Sequence, residues 1–98
     1  MDTPQVATQV MVRLPAALLD RTGQRARVPA TGATVNEVIA SLERDYPGLK
    51  YNICEETGGL RQHVNIFVDG ENIKYLDMLD TAVPAGANIF ILPSVSGG

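Results

Sequence analysis

The chain has 98 residues, 45% of them hydrophobic and 19% charged, and a formal net charge of −3. That length and composition fit one globular domain with its own core, and exclude a disordered tail or a coiled coil. The basic residues Arg13, Arg21, Arg25, Arg27, Arg44, Lys50, Arg61 and Lys74 are scattered. Nucleic-acid binders cluster such residues to neutralise phosphates, so nucleic acid is not an expected partner.

Met1 to Pro4 carries neither a basic start nor an apolar run, so no signal peptide is expected. No apolar stretch approaches the ~20 residues needed to span a membrane. The single cysteine, Cys54, cannot close an internal disulfide, and the expected location is a reducing cytoplasm.

Val6 to Leu14 alternates, with Val10, Val12 and Leu14 on one face and Gln9, Met11 and Arg13 on the other, as in a half-buried strand. Pro15 closes it, and Ala16 to Asp20 fits one helical turn. Gly23 allows a reversal, after which Gln24 to Val28 reads as a short polar strand. Thr34 opens the clearest helix. Its hydroxyl can accept from the Glu37 N–H while the Glu37 carboxylate reaches back to the Thr34 N–H, a reciprocal capping box. Val35, Val38, Ile39, Leu42 and Tyr46 then form one apolar stripe, and Pro47-Gly48 stops the helix.

Leu49 to Gly59 reads as irregular, with room for a short helical turn. Val64 to Val68 is a β-branched and aromatic strand, and Asp69-Gly70 after it signals a tight hairpin turn with Glu71 to Ile73 returning. Leu76 to Val83 reads as a loop with small helical turns, and Pro84-Ala85-Gly86 as another turn. Asn88 to Leu92 is nearly all apolar, the pattern of a central strand. The order strand, strand, helix, strand, short strand, strand predicts an α+β fold of the β-grasp (ubiquitin-like) kind. One main helix would lie across a mixed sheet of 4–5 strands whose first and last members pair in parallel at the centre. The expected organisation is a domain over residues 1–93 and a flexible tail over 94–98.

Enzymatic signatures are scarce. The sequence has no phosphate-binding glycine loop ending in Lys-Ser/Thr and no dinucleotide fingerprint. One histidine, His63, cannot build a multi-histidine zinc site, so no metal is expected. Cys54 with His63 is read as structural rather than as a nucleophile and its base. Glu55-Glu56 is read as solvated surface, and Asp69 as part of its turn. No catalytic residue and no bound cofactor is expected in the chain itself.

The chemistry that remains is at the end, Pro93-Ser94-Val95-Ser96-Gly97-Gly98. Extended, these residues reach roughly 20 Å, enough for Val95, Ser96 and Gly97 to thread a partner's active-site channel. Glycines lack a Cβ and pass a narrow channel. The terminal carboxylate on Gly98 is a poor electrophile, and attack on the α-phosphate of ATP would make it a good one. The chain has no ATP site, so the adenylating enzyme would be a separate protein.

Val64-Asn65-Ile66-Phe67-Val68-Asp69-Gly70, Ile89-Phe90-Ile91-Leu92-Pro93 and Val95-Ser96-Gly97-Gly98 resemble the MoaD/ThiS family of ubiquitin-like sulfur carriers, over essentially the whole chain. Ser96 stands where the family more often has alanine. The resemblance implies that the Gly98 carboxylate is adenylated by a ubiquitin-activating-like enzyme using ATP and becomes a thiocarboxylate that donates sulfur in biosynthesis. Among the family's uses it looks most like the carriers that serve a pyridoxal-phosphate-dependent cysteine synthase, with a metalloprotease releasing the cysteine. Cysteine or a specialised metabolite is thus the implied product, and a role as molybdopterin synthase small subunit is the alternative within the family. Outside it stand a non-covalent docking module and a protein modifier joined through Gly98 to lysines.

The fold also predicts a docking patch. If Val10, Val12, Val64, Ile66, Val68, Ile89 and Ile91 face the helix, Met11, Arg13, Phe67, Phe90 and Leu92 share the opposite face. An exposed apolar patch beside a reactive tail is a site for partner proteins.

Overall fold

The computed structural model describes residues 9–93. Five strands form one sheet: β1 (Gln9–Arg13), β2 (Arg27–Thr31), β3 (Val64–Val68), β4 (Glu71–Asn72) and β5 (Asn88–Pro93). Two α-helices, α1 (Val35–Asp45) and α2 (Leu49–Ile53), interrupt them. The sheet order is β2-β1-β5-β3-β4. β1 and β5 run parallel at the centre, with Val12 opposite Ile89 and Arg13 opposite Phe90. The other pairs are antiparallel, and β3 meets β5 along its full length from Val64–Pro93 to Val68–Ile89. This is the β-grasp arrangement that the element order predicts.

Alternation puts Val10, Val12, Val28, Ala30, Val64, Ile66, Val68, Ile89 and Ile91 inside. They meet Val35, Val38, Ile39 and Leu42 from α1 and Leu49 and Ile53 from α2. Burying each large aliphatic side chain fully stabilises the fold by about 1.5–3 kcal/mol relative to leaving it in water. The short α2 falls in a stretch expected to be irregular. Its first and last residues, Leu49 and Ile53, are completely buried, so the helix is held by its two anchors more than by its length.

The second strand lies further along the chain than the sequence pattern suggests, over Arg27–Thr31 instead of Gln24 to Val28. Gly23 and Gln24 both have positive φ (66° and 74°), so the reversal occupies the residues expected to begin the strand. Pro29, opposite Met11, is accommodated because β2 is an edge strand and a missing N–H is tolerated there. Before this strand, a 3-10 helix covers Ala16–Thr22.

The N-terminus of α1 departs in one bond from the expected box. Thr34 Oγ1 accepts from the Glu37 N–H at 3.2 Å, as predicted. The Glu37 carboxylate instead accepts from the Ala33 N–H at 2.8 Å, one residue earlier. The segment 33–35 is also stitched to Ala82 and its neighbours through Val35 N–H to Thr81 O and Val83 N–H to Ala33 O. Just upstream, Gly32 sits against the first turn of α1, where a Cβ would come within 2.6 Å of the Val38 nitrogen.

Beyond β3, Asp69 and Gly70 take φ of 49° and 92°, both positive as a type I′ hairpin turn requires. The return strand is shorter than expected: Ile73, fully buried, starts a 3-10 helix over Ile73–Tyr75. A second one spans Met78–Asp80. Pro93 pairs with Val64 inside β5 instead of standing after it. Among the described residues, no helix is long and apolar enough to cross a membrane.

Candidate functional site

Among the described residues, α1 and α2 both pack on one face of the sheet and leave the other uncovered. Met11 and Arg13 on β1, Phe67 on β3, and Phe90 and Leu92 on β5 all lie on that uncovered face, as the alternation predicts. Phe90 is the centre: Arg13 neighbours it on one side and Phe67 on the other. The Arg13 guanidinium lies over the Phe90 ring, 5.3 Å from its centroid. Met11, Phe67 and Phe90 are half-buried, and Leu92 is 37% exposed. The result is an apolar strip one residue wide on each central strand, carrying one fixed cation.

Beside this strip is a groove of about 530 Å³. Met11, Arg13 and Phe90 line it together with Arg27, Asn88 and the Asp69-Gly70 turn. The last four were not anticipated as site residues. Arg27 stands directly opposite Arg13 across the β1–β2 pair, a placement that follows only once β2 is known to start at Arg27. Asp69 belongs to its turn as expected and does more. Its Oδ1 accepts from the Asn88 N–H at 2.9 Å, and its own N–H donates to the Asn88 oxygen at 2.9 Å. The hairpin turn is thereby tied to the start of the central strand.

At the other end of β5 a smaller hollow of about 230 Å³ is lined by Pro15, Leu18, His63, Leu92 and Pro93, among others. The chain leaves the described residues here. Val95, Ser96, Gly97 and Gly98, the residues expected to thread a partner and carry the chemistry, lie outside them.

Cys54 and His63 do not make a nucleophilic pair. Cys54 is buried, and desolvation pushes its thiol pKa up, against a smaller opposing pull from Lys50 and Arg61. A thiol pushed up is protonated at neutral pH and unreactive. His63 is exposed and lines the hollow at the end of β5. Glu55 and Glu56 are both exposed. Among the described residues, no group of three or more His, Cys, Asp or Glu could hold a metal ion.

A five-stranded β-grasp sheet under one main helix, with its last strand at the centre and an uncovered apolar face, defines a ubiquitin-like protein. The chain belongs to the ThiS family of that class, whose model matches residues 12–98. It is 36% identical over 91 residues to the sulfur carrier protein CysO of Mycobacterium tuberculosis, covering 91% of this chain and 98% of that protein. The crystal structure of M. tuberculosis CysO superposes with a TM-score of 0.85 at 35% identity, over 88% of this chain and 99% of that one. The Amycolatopsis orientalis BexX/CysO complex gives a TM-score of 0.84 at 35% identity, over 91% and 99%. Small archaeal modifier protein 1 of Methanosarcina acetivorans gives 0.79 at 37% identity, over 96% and 100%.

Proposed function

We propose that this chain is a sulfur carrier that holds sulfur as a thiocarboxylate on Gly98 and is acted on by partner enzymes, without being an enzyme itself. The observation that carries the reading is that the family match runs to residue 98 and so includes Gly97-Gly98. Similarity to proteins named as sulfur carriers supports it.

The chemistry follows from the carboxylate. One oxygen of Gly98 attacks the α-phosphate of ATP held by an adenylating enzyme, and pyrophosphate leaves. The product is an acyl-adenylate, a mixed anhydride with AMP as a good leaving group. Hydrosulfide attacking its carbonyl expels AMP and leaves the thiocarboxylate. A persulfide donor gives an acyl disulfide first, which a second thiol reduces to the thiocarboxylate while itself ending in a disulfide. The sulfur-accepting enzyme is a pyridoxal-phosphate-dependent cysteine synthase or an enzyme of specialised metabolism, and a metalloprotease frees the product in the cysteine case. Met11, Arg13, Phe67, Phe90 and Leu92 dock these partners, an assignment supported by their position on the uncovered face.

A second reading has a specific observation behind it, the similarity to small archaeal modifier protein 1. The same acyl-adenylate captured by a lysine amine gives an isopeptide bond instead of a thiocarboxylate. Intact mass after incubation with ATP, an adenylating enzyme of the family and sulfide separates the two. Exchange of one oxygen for sulfur, mapped to Gly98 and lost when one residue is appended after it, is expected. Lysine-linked adducts with no such exchange would establish the modifier, and no change with a partner competent on another carrier would remove both.

A further inference from the structure

Arg13 and Arg27 stand directly opposite each other on β1 and β2, and both line the groove beside Phe90. Like charges directly opposite on one face destabilise a strand pair. The chain is acidic overall, so confronting two of its basic residues is not a by-product of abundant cations. The carboxylate that shares the groove is turned to the backbone, with Asp69 Oδ1 accepting from the Asn88 N–H. The Arg13 guanidinium is held over Phe90, so one cation is placed above an apolar floor.

We propose that this groove is a socket for one acidic side chain, an aspartate or glutamate of the protein that docks on the sheet face. The carboxylate enters between the Arg13 and Arg27 guanidiniums, whose planar N–H forks suit it, while neighbouring apolar atoms of the partner cover Met11 and Phe90. The inference rests on the reading of this face as a partner surface and adds the chemistry by which a partner is chosen. A paired cation site rejects partners that present a lysine or arginine there, and it speeds encounter with those that present an acid. The like-charge pair is stabilised only when the partner arrives, so the socket favours the bound state over the free one.

The test is a titration of the full ¹⁵N-labelled chain with acetyl-Glu-Phe-amide and acetyl-Gln-Phe-amide, followed by amide and arginine Nε–H resonances. The expected result is saturable shifts from the glutamate peptide alone, confined to Arg13, Arg27, Asn88 and Phe90. Arg27→Gln should weaken that binding by roughly 2- to 5-fold, the range for one exposed ion pair. The same variant should unfold at equal or higher urea concentration, because it removes a like-charge pair. A loss of stability would give the pair a structural role and overturn the socket. Absent or scattered shifts, the same shifts from inorganic phosphate, or the same shifts on concentrating the chain alone would also overturn it. Sulfur loading of Gly98 is scored separately by mass, so failure of the socket and failure of the carrier reading are distinguishable.

Discussion

The turn that joins β3 to β4 offers a quantitative check, because two separable effects meet at Asp69. Its φ of 49° is a conformation that costs an ordinary L-residue about 1–2 kcal/mol and aspartate less. Its carboxylate also accepts from the Asn88 N–H at 2.9 Å, an exposed hydrogen bond worth about 1 kcal/mol net. Asp69→Ala loses both and should destabilise by about 2–3 kcal/mol, from a total of roughly 5–15 kcal/mol. For a domain of this size that lowers Tm by roughly 10–20 °C. Asp69→Gly relieves the backbone but not the missing bond, and should lose about 1 kcal/mol. Asp69→Asn keeps an acceptor oxygen and tolerance of positive φ, and should stay within about 0.5 kcal/mol of the parent. Urea unfolding followed by far-ultraviolet circular dichroism at neutral pH gives the order, provided the slopes agree. If glycine and alanine lose equally, the backbone conformation contributes nothing. If glycine matches the parent, the bond to Asn88 contributes nothing, and the turn is not what anchors the start of β5.

Glu43 carries a pH dependence. Its carboxylate accepts from the Gly48 N–H (3.1 Å to each oxygen) and the Lys50 N–H (2.9 Å), which hold its pKa below the ordinary value of 4.5. A lowered folded pKa means the stabilisation is fully present above the unfolded value and is lost as pH falls through the folded one. Glu43→Gln should therefore lower the urea midpoint at pH 7 and leave a smaller difference from the parent at pH 3; a constant gap would refute the linkage. Gly32→Ala should destabilise by about 1–3 kcal/mol, since its Cβ would meet the backbone of α1, which cannot swing aside. Phe67→Ala and Leu92→Arg should weaken binding to the adenylating and accepting enzymes about 10-fold in titration calorimetry while the domain stays folded. Unchanged affinity would remove the sheet face as the docking surface.

The parts of the fold legible in the sequence are those in which periodicity and punctuation agree. The α1 stripe, the exact ends of β3 at Val64 and Val68, and the Asp69-Gly70 turn each carry two independent local signals. For β2 the presence of a strand was legible but its bounds were not, because tertiary context overrides its local chemistry. Arg27–Thr31 contains a proline and two outward polar residues, and only its place at the edge of the sheet makes it a strand. The faces of β1, β3 and β5 follow from alternation, so the five patch residues were readable. Arg27 was not, because partners across a strand pair depend on register, and register was set by a reversal at Gly23 and Gln24. The backbone bonds that tie residues 33–35 to Thr81 and Val83 are likewise long-range, and no local motif encodes them.

The position of β5 connects the proposed docking face to the proposed chemistry. It is paired on both sides, with β1 in parallel and β3 antiparallel, so releasing it would dismantle the centre of the sheet. Its inward residues Ile89 and Ile91 are almost completely buried, which fixes how the strand is rotated about its axis. That rotation turns Phe90 and Leu92 to the opposite face, the one proposed to dock partners. From Leu92 to Gly98 the chain spans six residues, at most roughly 20 Å when extended. A partner that grips Phe90 and Leu92 therefore has the Gly98 carboxylate within the reach of one active-site channel, whatever path the tail takes. Variants that loosen that grip should raise the partner's KM for this chain without changing the chemistry of a fully docked complex, whereas altering Gly98 should abolish turnover with docking intact. A fall in kcat with unchanged KM for Phe67→Ala would break this division between a strand that positions and a terminus that reacts.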